Sequence, residues 1–133
     1  MIEQTILVID DDLMVRDMLF DFLVERGNRV IAADSGRCAM ETIRKRQFDV
    51  AIVDLKLPEA DGLSVVRELR SSRADVPVIV ITGYPSEEVR EESYRLGAVA
   101  FMEKPFKVTR IAATIKKAIT AKESVEFKKS RVI

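Results

Sequence analysis

Asp49-Val50-Ala51-Ile52-Val53-Asp54-Leu55-Lys56-Leu57-Pro58 runs through four apolar residues into an acid, and then onto a proline. Val50 to Val53 suits a strand buried on both faces, as in a parallel sheet covered by helices on each side. A charge within such a strand is costly, but Asp54 falls where the strand ends and the chain turns toward solvent. In an open parallel sheet that edge is where ligands bind, so Asp54 is the first candidate functional residue.

The same grammar occurs at the start of the chain, where Thr5 to Ile9 ends in Asp10-Asp11-Asp12. Residues 13 to 26 then place Val15, Met18, Leu19, Phe22 and Leu23 at helical spacing, and Gly27 supplies a stop. Residues 29 to 33 read as a second strand, 36 to 46 as a helix containing Cys38, and 49 to 53 as the third strand. After the Pro58 and Gly62 punctuation, Val65, Val66 and Leu69 mark a third helix, and Val76 to Ile81 a fourth strand ending at Thr82-Gly83-Tyr84-Pro85. Ser86 can cap a helix with Glu87 and Glu88 in its first turn, ended by Gly97; with Val89 and Leu96 as its main apolar residues it should be held loosely. Ala98 to Met102 is the fifth strand, and Lys104-Pro105-Phe106 leads into a last helix with Val108, Ile111, Ala112, Ile115 and Ile119 on one face. From Lys122 the pattern fades among Val125, Phe127, Val132 and Ile133, so residues 1–121 read as one domain and 122–133 as a frayed helix end, a tail or the start of a linker.

This alternation implies an α/β fold: a doubly wound five-stranded parallel sheet with right-handed crossovers and five helices. Parallel strands end on one edge, which collects Asp10, Asp11 and Asp12, then Asp54, Thr82 and Lys104. The 22 basic and 22 acidic residues cancel, so no global charge points to nucleic acid. One cysteine and no histidine exclude a disulfide framework and a zinc-type ligand set, leaving a hard cation held by oxygens. Neither a membrane span nor a signal peptide is evident, which makes the cytoplasm the expected compartment.

Clustered carboxylates repel, by roughly 4 kcal/mol for unit charges about 4 Å apart at an effective dielectric near 20. Either protons held at raised pKa or a divalent cation must compensate; Mg²⁺ is favoured because it accepts oxygen ligands and keeps waters for a phosphate. A carboxylate so placed can attack a phosphoryl group whose oxygens are neutralised by the cation, the Lys104 ammonium and the Thr82 hydroxyl. Taken singly, each of these residues is more often a cap, a turn residue or a solvated charge; their shared edge is what carries the reading.

Ile6-Leu7-Val8-Ile9-Asp10-Asp11-Asp12, Val53-Asp54-Leu55-Lys56-Leu57-Pro58 with Asp61-Gly62, Ile81-Thr82-Gly83 and Met102-Glu103-Lys104-Pro105-Phe106 together resemble the receiver domain of two-component response regulators, over about residues 4 to 121. The resemblance implies a CheY-like sheet order of 2-1-3-4-5 and a phosphorelay function in which Asp54 accepts a phosphoryl group from a histidine kinase or histidine phosphotransfer protein. It further implies Mg²⁺, with Mn²⁺ as a substitute, held by Asp11, Asp54 and the backbone carbonyl of Lys56, with Asp10 acting through water. Thr82 and Lys104 would contact the phosphoryl group, and the Lys104-Pro105 bond would be cis. Thr82 and Phe101 would switch the surface of helix four, strand five and helix five toward a target protein, an output domain or a homodimer partner. Phe101 stands where many members have Tyr, and plain core packing is its alternative reading.

Lys56 and Tyr84 lie two residues beyond site residues, where the family tunes loss of the phosphoryl group. On the first helix, Leu13, Phe20 and Val24 fall opposite the core stripe with Asp17 among them, an expected docking strip for a histidine-containing donor; scattered exposure or a dimer contact is the alternative. The domain would be a signalling module rather than an enzyme, with self-phosphotransfer and autodephosphorylation its only chemistry. Rival readings are a pseudo-receiver interaction module and a haloacid dehalogenase-like phosphatase, which would want an acid at Lys56. A flavodoxin-like cofactor binder would need a phosphate loop after strand one, and no helix-turn-helix for DNA follows residue 100.

Overall fold

A computed structural model describes residues 3–58 and 60–130, the last four of them without side-chain detail. Val132 and Ile133 of the tail, like the first two residues, lie outside the described residues. The sheet strands are β1 (Thr5–Ile9), β2 (Arg29–Ala33), β3 (Val50–Asp54), β4 (Val78–Thr82) and β5 (Ala100–Glu103). They alternate with α1 (Leu13–Glu25), α2 (Gly36–Lys45), α3 (Gly62–Ser72), α4 (Glu87–Arg95) and α5 (Val108–Ser130). All sheet neighbours are parallel, in the order β2-β1-β3-β4-β5. That is the doubly wound arrangement expected from the strand–helix alternation, in the strand order that the family resemblance implies. A two-residue antiparallel pair, Lys56–Leu57 with Ala60–Asp61, is not expected from the sequence; it folds the loop after β3 back on itself against the start of α2.

Successive strand residues point to opposite faces, and this alternation divides the core in two. Leu7, Ile9, Ala51, Val53, Val78 and Val80 pack with Ala39 and Ile43 of α2 and with Val65, Val66 and Leu69 of α3. Ile6, Val8, Val50, Ile52, Ile79 and Ile81 pack on the other face with Leu19 and Leu23 of α1 and with Ile111 and Ile115 of α5. In α1 the structure corrects one position: Met18, placed with the core stripe by spacing, is exposed, because the stripe turns through Val15, Leu19, Phe22 and Leu23 and leaves Met18 at its margin.

The helix starts follow local chemistry. Asp12, Ser35, Asp61 and Ser86 cap α1, α2, α3 and α4 by accepting hydrogen bonds from first-turn amides. In α4 Ser93 is the buried residue and Val89 is half-buried, so little apolar area holds this helix to the sheet. The described part of the 122–133 stretch continues α5 as helix to Ser130.

Candidate functional site

Asp54 is the last residue of β3, paired in register with Ile81 of β4 and almost fully buried. Its Oδ1 accepts from the Lys56 amide at 3.1 Å, and its Oδ2 from Lys104 Nζ at 2.8 Å. The chain closes tightly behind it: the Gly62 amide donates to the Leu55 carbonyl at 2.9 Å, and a Cβ on Gly62 would meet the Asp54 carbonyl oxygen at 2.5 Å. Glycine is required there by close backbone approach.

The three acids after β1 have separate positions. Asp12 is the α1 N-cap, Asp11 is exposed, and Asp10 is completely buried. Asp10 Oδ1 accepts from the Asp12 amide at 2.9 Å, and Arg16 Nη1 donates to the Asp10 carbonyl at 3.0 Å. Asp10 Oδ2 lies 2.7 Å from Lys104 Nζ as an ion pair but accepts no aligned hydrogen bond. Burial is the main reason the Asp10 carboxyl is pushed up from 3.8 to about 6, against the lowering effect of Lys104. Burial alone would lower Lys104, yet its pairing with Asp10 and Asp54 outweighs that and raises it. The carboxylate repulsion is eased by a lysine shared between two acids and by the raised Asp10 carboxyl, the latter one of the two compensations the sequence leaves open.

Asp10, Asp11 and Asp54 each offer a carboxylate oxygen, all within 4.8 Å of one another. Three oxygen donors, one of them a buried oxygen with unused hydrogen-bonding capacity, fit a hard divalent ion such as Mg²⁺ or Mn²⁺.

Thr82 closes β4 with its side chain buried, and its Oγ1 accepts from the Tyr84 amide at 3.0 Å. The Lys104 amide donates to the Thr82 carbonyl at 2.8 Å, which sets the Lys104 side chain over the acids, and the Lys104-Pro105 peptide is cis. Phe101 is half-buried against the α2–α3 side of the core. Lys56 and Tyr84, both exposed, meet across the mouth of the site, with Lys56 Nζ 4.3 Å from the Tyr84 ring centroid. Sequence reasoning named both residues without their contact, because a cation over a ring leaves no spacing signal. It also missed Arg16, whose basic side chain on a helix reads only as a solvated charge. On α1, Leu13 is 60% exposed, Phe20 42% and Val24 43%.

The family model for the response regulator receiver domain matches residues 6–116. The chain belongs to the response regulator receiver domains. This receiver domain is 33% identical over 121 residues to the transcriptional regulatory protein ZraR of Escherichia coli, a match covering 91% of this chain and 27% of that protein. The chain therefore spans about a quarter of the length of that relative. A CheY-like receiver domain from Methanospirillum hungatei superposes with a TM-score of 0.89 at 28% identity, covering 92% of this chain and 98% of the other. A Burkholderia pseudomallei response regulator, solved with a phosphorylated aspartic acid, a calcium ion and citrate, gives a TM-score of 0.80 at 30% identity over 92% of this chain and 74% of that one. Among the described residues no helix of the receiver domain is long and apolar enough to cross a membrane.

Proposed function

We propose that this receiver domain takes a phosphoryl group onto Asp54 from a histidine kinase or histidine phosphotransfer protein and signals through its α4–β5–α5 surface. The observation that carries the reading is the placement of Asp54 Oδ2 2.8 Å from Lys104 Nζ, beside Asp10 and Asp11. An Asp54 oxygen attacks phosphorus, the bond from phosphorus to the donor nitrogen breaks, and the donor imidazole keeps the electron pair. Lys104 then turns from the carboxylates toward a phosphoryl oxygen, and the Thr82 hydroxyl gives up the Tyr84 amide to donate to another. Asp10, Asp11, Asp54 and the Lys56 carbonyl would hold Mg²⁺ or Mn²⁺, which supplies charge neutralisation at the transferred group when bound. The phosphorylated aspartic acid and calcium ion of the Burkholderia relative support this assignment by likeness.

Movement of Thr82 leaves space for Phe101, and the loosely held α4 follows. Lys56 and Tyr84 cover the acyl phosphate, while Leu13, Phe20 and Val24 receive the donor domain. The module works as a signalling domain without turnover of an external substrate, and its target is an output domain, a separate protein or a second copy. Intact mass after incubation with acetyl phosphate and Mg²⁺ tests the reading: one phosphoryl group is gained by the parent and none by Asp54→Ala or in EDTA. Equal gain by Asp54→Ala would overturn the assignment.

A further inference from the structure

Arg16 stands one turn into α1, half-buried, and among the described residues its side chain pairs with no carboxylate of the acidic cluster. Its Nη1 donates instead to the Asp10 backbone carbonyl, at 3.0 Å. Side chains on a helix lean toward its N-terminus, which carries this one back over the start of α1. The Arg16 amide donates to the Asp12 carbonyl at 3.0 Å, so the guanidinium reaches Asp10 from a closed first turn that the Asp12 side chain caps. A cation near the positive end of a helix is unfavourable in itself, so helix formation does not account for this placement.

The carbonyl that Arg16 holds belongs to the peptide joining Asp10 to Asp11. β1 ends at Ile9, and the sheet's hold on the chain reaches as far as the Asp10 amide, which donates to the Ala33 carbonyl at 3.0 Å. Asp10 is further fixed by burial and by the Asp12 amide on its Oδ1. Asp11 has no such fastening: its side chain is exposed and accepts no hydrogen bond among the described residues. Even so, its carboxylate lies within 4.8 Å of those of Asp10 and Asp54. Where Asp11 points is therefore set by the peptide before it, and Arg16 holds that peptide.

We propose that Arg16 is a positioning residue for cation binding: through the Asp10 carbonyl it orients the Asp10–Asp11 peptide and keeps the exposed Asp11 carboxylate gathered with those of Asp10 and Asp54. This rests on the reading of the three acids as the holders of a hard divalent ion. Two effects of the guanidinium oppose each other. By charge alone it repels a divalent cation, so its loss would tighten binding. By position its loss frees the peptide, leaving Asp11 to be ordered at the moment of binding, which weakens it. Position is the larger effect, because the guanidinium touches the peptide directly whereas its charge is partly exposed to water and screened by salt.

The test is calorimetric titration of the full chain with MgCl₂, comparing the parent with Arg16→Met, which keeps an aliphatic stem and removes the donors. Arg16→Met should bind Mg²⁺ about ten-fold more weakly. Its labelling by acetyl phosphate should need about ten-fold more Mg²⁺ to reach half its maximal rate, with a much smaller change in that maximum. Its Tm in EDTA should stay close to that of the parent. Unchanged or tighter Mg²⁺ binding would overturn the proposal, since only the charge would then be felt. Labelling slowed equally at every Mg²⁺ concentration would also overturn it, by placing Arg16 at the phosphoryl group or its donor. A fall in the EDTA Tm of more than about 5 °C, on the order of 1 kcal/mol for a domain of this size, would make Arg16 a residue of the fold and reject the role. Mg²⁺ binding absent from the parent would reject the acidic cluster as a cation site and Arg16 with it. Binding in the parent that Arg16→Met leaves intact rejects the Arg16 role alone.

Discussion

Asp10 is the residue at which the site and the fold compete. Its carboxyl is pushed up to about 6 mainly by burial, so the folded chain holds this proton more tightly than the unfolded chain does. The stability it contributes is full below about pH 4 and is lost as pH rises through about 6. In EDTA, Asp10→Asn should therefore exceed the parent in stability by on the order of 2 kcal/mol at neutral pH and match it near pH 4, as read by urea unfolding. A less stable variant at neutral pH would mean that Lys104 attraction outweighs the burial cost. In the proposed function the Lys56–Tyr84 contact shields the phosphorylated state from water. Tyr84 is 71% exposed beneath the Lys56 ammonium, so its removal should cost the fold little, and on that proposal it should admit water to Asp54. Tyr84→Ala should lose its phosphoryl group several-fold faster than the parent, both in Mg²⁺ and after EDTA; unchanged half-lives would remove the shield. Neither arrangement was readable from spacing, because each is a meeting of side chains from separate loops.

At the scale of elements, α1 has two opposite apolar faces. Leu19 and Leu23 are buried against the sheet, whereas Leu13, Phe20 and Val24 point outward. Period alone identified both faces, since 100° per residue separates them cleanly. It failed at Met18 because a long flexible side chain at the margin of a stripe can satisfy either side. If the outer face receives the donor, Phe20→Ser should slow transfer from the cognate histidine donor about ten-fold while leaving acetyl phosphate labelling unchanged. Equal slowing with both donors would place the defect in the fold instead. The paired residues Lys56–Leu57 and Ala60–Asp61 are the element the sequence did not disclose. Two-residue ladders carry no hydrophobic period, and Gly62 and Pro58 marked only a loop. The Asp61 cap and the Gly62 close approach likewise emerged only with the structure, where both fit their residue types.

For the molecule as a whole, the strand–helix alternation determined the sheet edge on which Asp10, Asp54, Thr82 and Lys104 meet, while their resemblance to a family supplied the strand order. What topology could not supply was the charge balance, since one lysine is shared by two of the three clustered carboxylates only once side chains are placed. A divalent ion that binds there should stabilise the entire fold. At one hundred times its dissociation constant the gain is about 2.7 kcal/mol, seen as a higher Tm in MgCl₂ than in NaCl of equal ionic strength. Asp11→Ala, an exposed change, should abolish the difference while leaving the Tm in EDTA near that of the parent. An equal Mg²⁺ response in that variant would remove Asp11 from the ligand set. The parallel sheet also has a second edge, at the N-terminal ends of its strands, where the turns before β2, β3, β4 and β5 run. There the Gly27 turn leaves nothing within 4 Å of an added Cβ, although its φ of +92° keeps glycine itself in place. For an engineer, the two edges are different real estate: dyes, affinity handles and inserted reporter domains belong beside Asn28, a full strand length from the chemistry they would report.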